Sequence, residues 1–140
     1  MTAETTRLVL PSRIESVEQA AAAAEEIARR SGLSPEAAYG VDMALREAVG
    51  NAVVHGNKGD ENKNVTVTFT SSPGALEIEV SDQGSGFDFA SIPDPTAEEN
   101  VLKTSGRGIF FMRTFMDEVE HSIHPEGGTV VRLTKNKRSS

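Results

Sequence analysis

The chain has 140 residues with a formal charge of −7, is 37% hydrophobic and 25% charged, and holds no Cys and no Trp. That length suits one domain with one core, here residues 1–140. The missing Cys excludes disulfides and thiolate metal sites, and the acidic balance argues against a nucleic-acid binder. No run approaches the roughly 18–20 apolar residues of a membrane span. Met1–Thr6 lacks the basic start and apolar core of a signal peptide, so a cytoplasmic protein without membrane or direct nucleic-acid contact is expected. Only the tail, Lys135-Asn136-Lys137-Arg138, is basic, and it reads as a solvated terminus.

Arg7-Leu8-Val9-Leu10 before Pro11 reads as a first strand, ended or kept at an edge by the proline. Ser12 or Ser16 is then placed to cap a helix running to about Ser31. Val17, Ala20, Ala21, Ala24, Ile27 and Ala28 recur at helical spacing in it, and Gly32 follows as the C′ residue. Ser34-Pro35-Glu36 has the N-cap, N1 proline and first-turn acid of a second helix start. That helix is expected to run through Ala44, Ala48 and Ala52 to Gly56, with Gly40 and Gly50 each weakening it by about 1 kcal/mol relative to Ala. Residues 57–62 are turn material.

Val65, Val67 and Phe69, then Leu76, Ile78 and Val80, alternate as the half-buried strands of a hairpin joined at Ser71-Ser72-Pro73-Gly74. Residues 91–105 show no period and read as a long loop of the kind that is usually functional or disordered. Gly108 to Met116 is an apolar helix, and Val119–Ile123 and Thr129–Leu133 are two last strands. The order β, α, α, β, β, loop, α, β, β implies an α+β fold. It is a two-layer sandwich with helices on one face of a mixed, mostly antiparallel sheet.

Three motifs carry candidate chemistry. Glu47 and Asn51 lie four residues apart on one helix face, either as an ordinary polar face or as a base above a metal-facing oxygen. Asp82, at a strand end before Gly84 and Gly86, is either a turn residue or an acceptor for an exocyclic amine such as that of adenine. Ser105-Gly106-Arg107-Gly108 precedes a helix and is either a tight turn or an anion cradle of backbone N–H groups. It is neither a Walker A loop nor a dinucleotide-binding fingerprint. His55 shows no metal-ligand spacing with His121 or His124, and a structural or capping role suits it. A nucleophile elbow and a thiol are both absent.

In this order, Glu47-x-x-x-Asn51, Asp82-x-Gly84-x-Gly86 and Gly106-x-Gly108 resemble the N, G1 and G2 boxes of the GHKL ATPase/kinase superfamily. The chain looks like its small bacterial anti-sigma-factor serine kinases (RsbW/SpoIIAB type) from Arg7 to Leu133. The resemblance implies the Bergerat ATP-binding fold, ATP and Mg²⁺ as cofactors, Asn51 as the Mg²⁺ ligand and Glu47 as the general base. It implies Asp82 on the adenine amino group with support from Thr129, Gly84 and Gly86 shaping the adenine pocket, and an ATP lid at about 93–105. Lys103, Thr104, Ser105, Gly106, Arg107, Gly108 and Ile109 would bind the phosphates. Phe110 replaces a third glycine, and Thr104 stands where a relative can carry a basic residue.

The function so implied is an ATP-Mg²⁺-dependent serine/threonine protein kinase. It would phosphorylate a STAS-domain anti-anti-sigma protein, sequester a sigma factor and, as relatives do, form a homodimer. Two alternatives are a non-catalytic ATP-binding anti-sigma module and a kinase whose STAS partner controls another target. A hydrolysis-driven clamp would need a transducer domain that this chain lacks.

Overall fold

A computed structural model describes residues 4–84, 112–123 and 127–137. The expected lid, Gly86, the phosphate-binding residues 103–109 and the start of the helix at Gly108 lie outside the described residues. The elements are β1 (Glu4–Pro11), α1 (Glu15–Arg30), α2 (Pro35–Asn51), a π-helical turn (Ala52–Gly56), β2 (Asn64–Ser71), β3 (Ala75–Ser81), β4 (Glu118–Ile123) and β5 (Thr129–Asn136). The strands form one sheet in the order β1-β2-β3-β5-β4. All four pairings are antiparallel, so the expected mixed sheet is in its described part purely antiparallel.

The alternation read from the sequence sets the register. Val65, Val67, Phe69, Leu76, Ile78, Val80 and Leu133 are all at most 2% exposed. They share the face that packs on α1 and α2. Burying each is worth about 1.5–3 kcal/mol, and a one-residue slip would turn a whole strand's set to water. The opposite face is polar: Thr68, Glu79 and Arg132 stand in register across β2, β3 and β5, and Arg132 pairs with Glu79 (3.3 Å) and Glu120 (3.6 Å).

Both helices end as their residue types dictate. At the close of α1, Gly32 takes φ +83°. Its N–H reaches Arg29 O (3.2 Å) and that of Leu33 reaches Ala28 O (3.3 Å), a Schellman motif. Ser34 caps α2, its Oγ accepting from Ala37 N at 3.1 Å. Ser34→Ala is therefore expected to lower stability by about 1 kcal/mol without changing nucleotide affinity, which thermal melts with and without ATP will read.

The start of α1 differs from expectation. Its N-cap is Ile14, with no side-chain cap. Ser16 Oγ donates instead to Pro11 O (2.6 Å) and Ser12 Oγ to Lys63 O (2.7 Å). Neither serine caps because the helix begins between them: Ser16 lies inside the first turn and Ser12 two residues before the N-cap.

The two helices are joined through Arg46, whose guanidinium meets Glu18 on α1 (2.6 Å) and Asp42 one turn earlier on α2 (3.0 Å). Gly40 lets α2 approach the segment after residue 111. A Cβ there would sit 3.2 Å from the Phe115 ring, and Tyr39 meets that ring edge-on at 6.1 Å.

Candidate active site

The site forms where the C-terminal half of α2 meets the ends of β3 and β5. Asn51 is the last residue of α2, and the backbone then widens into the π turn, with Asn57 N–H bonded to Ala52 O at 2.8 Å. Such widened turns cluster at functional sites. Here the turn carries Gly56 against the end of β3. A Cβ on Gly56 would lie 2.1 Å from Asp82 Oδ2, one on Gly84 would lie 1.8 Å from Gly56 O, and one on Gly128 would lie 2.2 Å from Asp82 O. Three glycines from three segments thus close around one carboxylate. Gly128 also has φ +93°, a backbone that L side chains rarely adopt. Gly84 does not have positive φ, so space alone demands the glycine there, and its contact is with Gly56.

Asp82 is 7% exposed. Its Oδ1 accepts from Gly84 N–H and Thr129 N–H, both at 3.0 Å, and its own N–H donates to Thr129 O at 3.1 Å. Oδ2 accepts no hydrogen bond from a described residue. Burial pushes the carboxyl above the ordinary aspartate range, opposed by the two N–H donors and the charge of Lys63. The result is a fixed carboxylate with one oxygen held and one available for an outside donor.

A narrow pocket opens beside it. Ala48, Ala52, Val80 and Val131 form apolar walls, and Asn51, Asp82 and Thr129 supply the polar groups. The cavity holds about 10 Å³, room for a water rather than a ring, so these residues supply the floor of a base site and not its full volume. The structure therefore brings Asn51, Asp82 and Thr129 together, three residues separated by 31 and 47 positions in sequence. Asn51 is 8% exposed, and its amide bonds to no described residue.

Glu47 stands one helical turn before Asn51, half-buried, and its carboxylate likewise bonds to no described residue. Burial raises its pKa above the ordinary glutamate value, and the charge of His55 works against that rise. His55 is exposed in the π turn, and its charge reaches Glu47. Among the described residues no cluster of three or more His, Cys, Asp or Glu is arranged to hold a metal.

A sequence profile of the histidine kinase-like ATPase domain matches residues 10–135. The chain belongs to that family. The serine-protein kinase RsbW of Listeria monocytogenes is 32% identical over 134 residues, covering 91% of this chain and 84% of the relative. RsbW of Bacillus subtilis is 33% identical over 115 residues, covering 78% and 71%. Among solved structures, a Mycobacterium tuberculosis protein with RsbU and RsbW domains superposes with a TM-score of 0.69 at 20% identity over 98% of this chain, which spans 34% of that longer one. The catalytic domain of the histidine kinase ThkA superposes with a TM-score of 0.58 at 14% identity, covering 96% of each chain. These two structures share the fold. ATP use follows from membership of this ATPase family, and Asn51 and Asp82, one residue from each of two sequence motifs, line the pocket.

Two site features escape a reading of the sequence. Gly50, between Glu47 and Asn51 and a candidate for close approach of a ligand, has no described atom within 4 Å of a Cβ placed on it, so the space beside it is open. Gly50→Ala is expected to stabilise the nucleotide-free protein by about 0.4–1 kcal/mol, visible as a higher Tm. Asn57, which reads as turn material, is 1% exposed and fully engaged beside the site. Its signal in the sequence was its place directly after His55-Gly56.

Proposed function

We propose that the protein is an ATP-dependent serine/threonine protein kinase that acts as an anti-sigma factor in a partner-switching circuit. It phosphorylates a STAS-domain anti-anti-sigma protein and, in its other complex, holds a sigma factor inactive. The observation that carries this reading is the pocket shared by Asn51, Asp82 and Thr129, with the Glu47 carboxylate, bonded to no described residue, one turn before Asn51. The RsbW serine-protein kinases that align with most of the chain support the choice of substrate class.

In this reading Asp82 Oδ2 accepts a hydrogen bond from the adenine amino group, while Ala48, Ala52, Val80 and Val131 cover the ring. The Asn51 side-chain oxygen would hold Mg²⁺, and the ion when bound would supply positive charge to offset that of the phosphates. Glu47 takes the proton of the incoming seryl or threonyl hydroxyl. Its burial keeps it basic enough for that role near neutral pH. Residues 103–109, with Lys103 or Arg107 as the cation, hold the phosphates, and the lid is at about 93–105. The working unit is a homodimer in the cytoplasm, where sigma factors act. No described helix is long and apolar enough to cross a membrane.

The test is to mix the protein with ATP-Mg²⁺ and the STAS protein encoded beside it, then to measure the partner's intact mass and map the modified residue. Phosphoserine or phosphothreonine on the partner is the expected result. An unchanged partner mass, with ATP still bound by the protein, would make it a binding-only module.

A further inference from the structure

Beside the candidate pocket lies a polar network, built on a buried asparagine, that the kinase reading has not used. Its centre is Asn57, the residue that closes the π turn. The side-chain Oδ1 accepts from the backbone N–H of Gln83 at 2.8 Å. The Nδ2 group donates to Ser12 Oγ (2.7 Å) and to Asn64 O (3.0 Å), so both of its hydrogens are committed. Ser12 Oγ passes its own hydrogen to Lys63 O at 2.7 Å, and Gln83 Oε1 accepts from Asn64 N at 2.6 Å. Both backbone polar groups of Asn64 are thus held by side chains, those of Asn57 and Gln83. Four segments meet in this knot: the residue after β1, the end of the π turn, the start of β2 and the loop leaving β3.

The position of Gln83 gives the knot its consequence. It lies between Asp82 and Gly84, and Gly84 N–H is one of the two donors that orient the Asp82 carboxylate. The other donor, Thr129 N–H, comes from β5, so the carboxylate is suspended between the loop and the strand. Without the bond from Gln83, the loop loses its tie to the π turn, and Gly84 N–H is free to drift from Oδ1. The same tie keeps Gly56 O against Gly84, where there is no room for even a methyl group.

We propose that Asn57 is a positioning residue for base recognition: by fixing the Gln83 backbone it aims Asp82 at the amino group of adenine. The proposal rests on the reading of Asp82 as the adenine acceptor. Glu47 and Asn51 precede the π turn on a helix anchored elsewhere, so the effect of Asn57 falls on the base and not on the phosphates. Asn57 therefore governs the choice between adenine, with its 6-amino donor, and hypoxanthine, with a 6-oxo acceptor.

The experiment measures ATP and ITP binding, each with Mg²⁺, by calorimetry on the full chain and its variants, with thermal melts alongside. The wild-type chain prefers ATP by about 10–100-fold, the worth of one hydrogen bond to a charged group. Asn57→Ala is expected to lose most of that preference by weakening ATP while leaving ITP within about threefold. Asn57→Asp keeps an acceptor for Gln83 N–H but gives up the donors to Ser12 and Asn64. It is expected to melt lower yet keep the preference, and it stands in for the alanine variant should that one not fold. Ser12→Ala, which spares the Gln83 bond, should likewise keep it. A folded Asn57→Ala with an undiminished ATP preference, or a folded Asn57→Asp that has lost it, overturns the proposal and leaves Asn57 a purely structural residue. Asp82→Ala separates the two levels. If the wild-type chain shows no preference, or Asp82→Ala retains it, the adenine reading itself fails, and the positioning role falls with it.

Discussion

Replacing Glu47 by Gln is expected to slow phosphotransfer by about 10²–10⁴-fold while leaving ATP affinity within a few-fold and raising the melting temperature at neutral pH. The loss of rate follows from the proposed role. A glutamine keeps the shape of the side chain but cannot take a proton from the attacking hydroxyl. The gain in stability follows from burial. The Glu47 carboxyl sits half-buried with no hydrogen-bond donor among the described residues, and desolvation lifts its pKa above the ordinary value, with the charge of His55 opposing.

The sign of the pH effect is fixed by that direction. Between the ordinary glutamate pKa and the raised one, the folded protein holds a proton that the unfolded chain has released. Stability from this group therefore falls as pH rises through that interval and stays reduced above it. The two melting curves should converge below the ordinary glutamate range and separate as pH rises, with Glu47→Gln the more stable. In the wild-type enzyme the same raised pKa moves the acid limb of the rate profile above the ordinary carboxylate range. Stopped-assay rates and melts over pH 4–8 (about four units, spanning the reference values of Glu and His) check both. A variant that transfers phosphate at the wild-type rate would remove Glu47 from the mechanism.

The second large effect is expected at Gly56. An alanine methyl there would stand 2.1 Å from Asp82 Oδ2 and 2.4 Å from Cγ. Neither partner can yield cheaply. The carboxylate is tied by Gly84 and Thr129 N–H groups, and the π turn is tied through Asn57 to Gln83 and Asn64. Gly56→Ala should therefore lower stability by about 1–3 kcal/mol and weaken ATP binding by at least about tenfold, because relief of the clash moves Asp82, the group proposed to meet the adenine. Gly84→Ala should behave alike, since its methyl would lie 1.8 Å from Gly56 O. Gly50→Ala, on the same stretch of chain but open to space, is the contrasting control. Melts and calorimetry on the three variants separate the effect of the glycine cradle from a general intolerance of side chains near the site.

These variants also mark where sequence and tertiary structure divide the work. Local chemistry was enough for most of the fold. Alternating Val and Phe in β2 and Leu, Ile and Val in β3 set strands and register, because one buried face leaves no other pairing that hides them. Gly32 and Ser34 punctuated the helices through interactions within a few residues. The start of α1 was not legible, since Ile14 at the N-cap carries no capping group and Ser12 is tied to Lys63 O, a carbonyl that only folding brings near.

At the site, the sequence by itself determined the residue types. Glu47 and Asn51 share a helix face by spacing alone, and Asp82 before Gly84 marks a strand end with room around it. Tertiary structure decided what each group meets. Only the sheet order places β5 beside β3 and so Thr129 N–H on Asp82, and only the π turn brings Gly56 and Asn57 to the same loop. A glycine records that space is needed but not for what: at Gly56 the space is filled by a carboxylate, and at Gly50 it stays open. The contacts that aim Asp82 join residues 26 and 47 positions apart. Nothing in local periodicity or propensity encodes such distances, because hydrogen bonds of this kind form only after the hydrophobic layers have fixed the chain segments against one another.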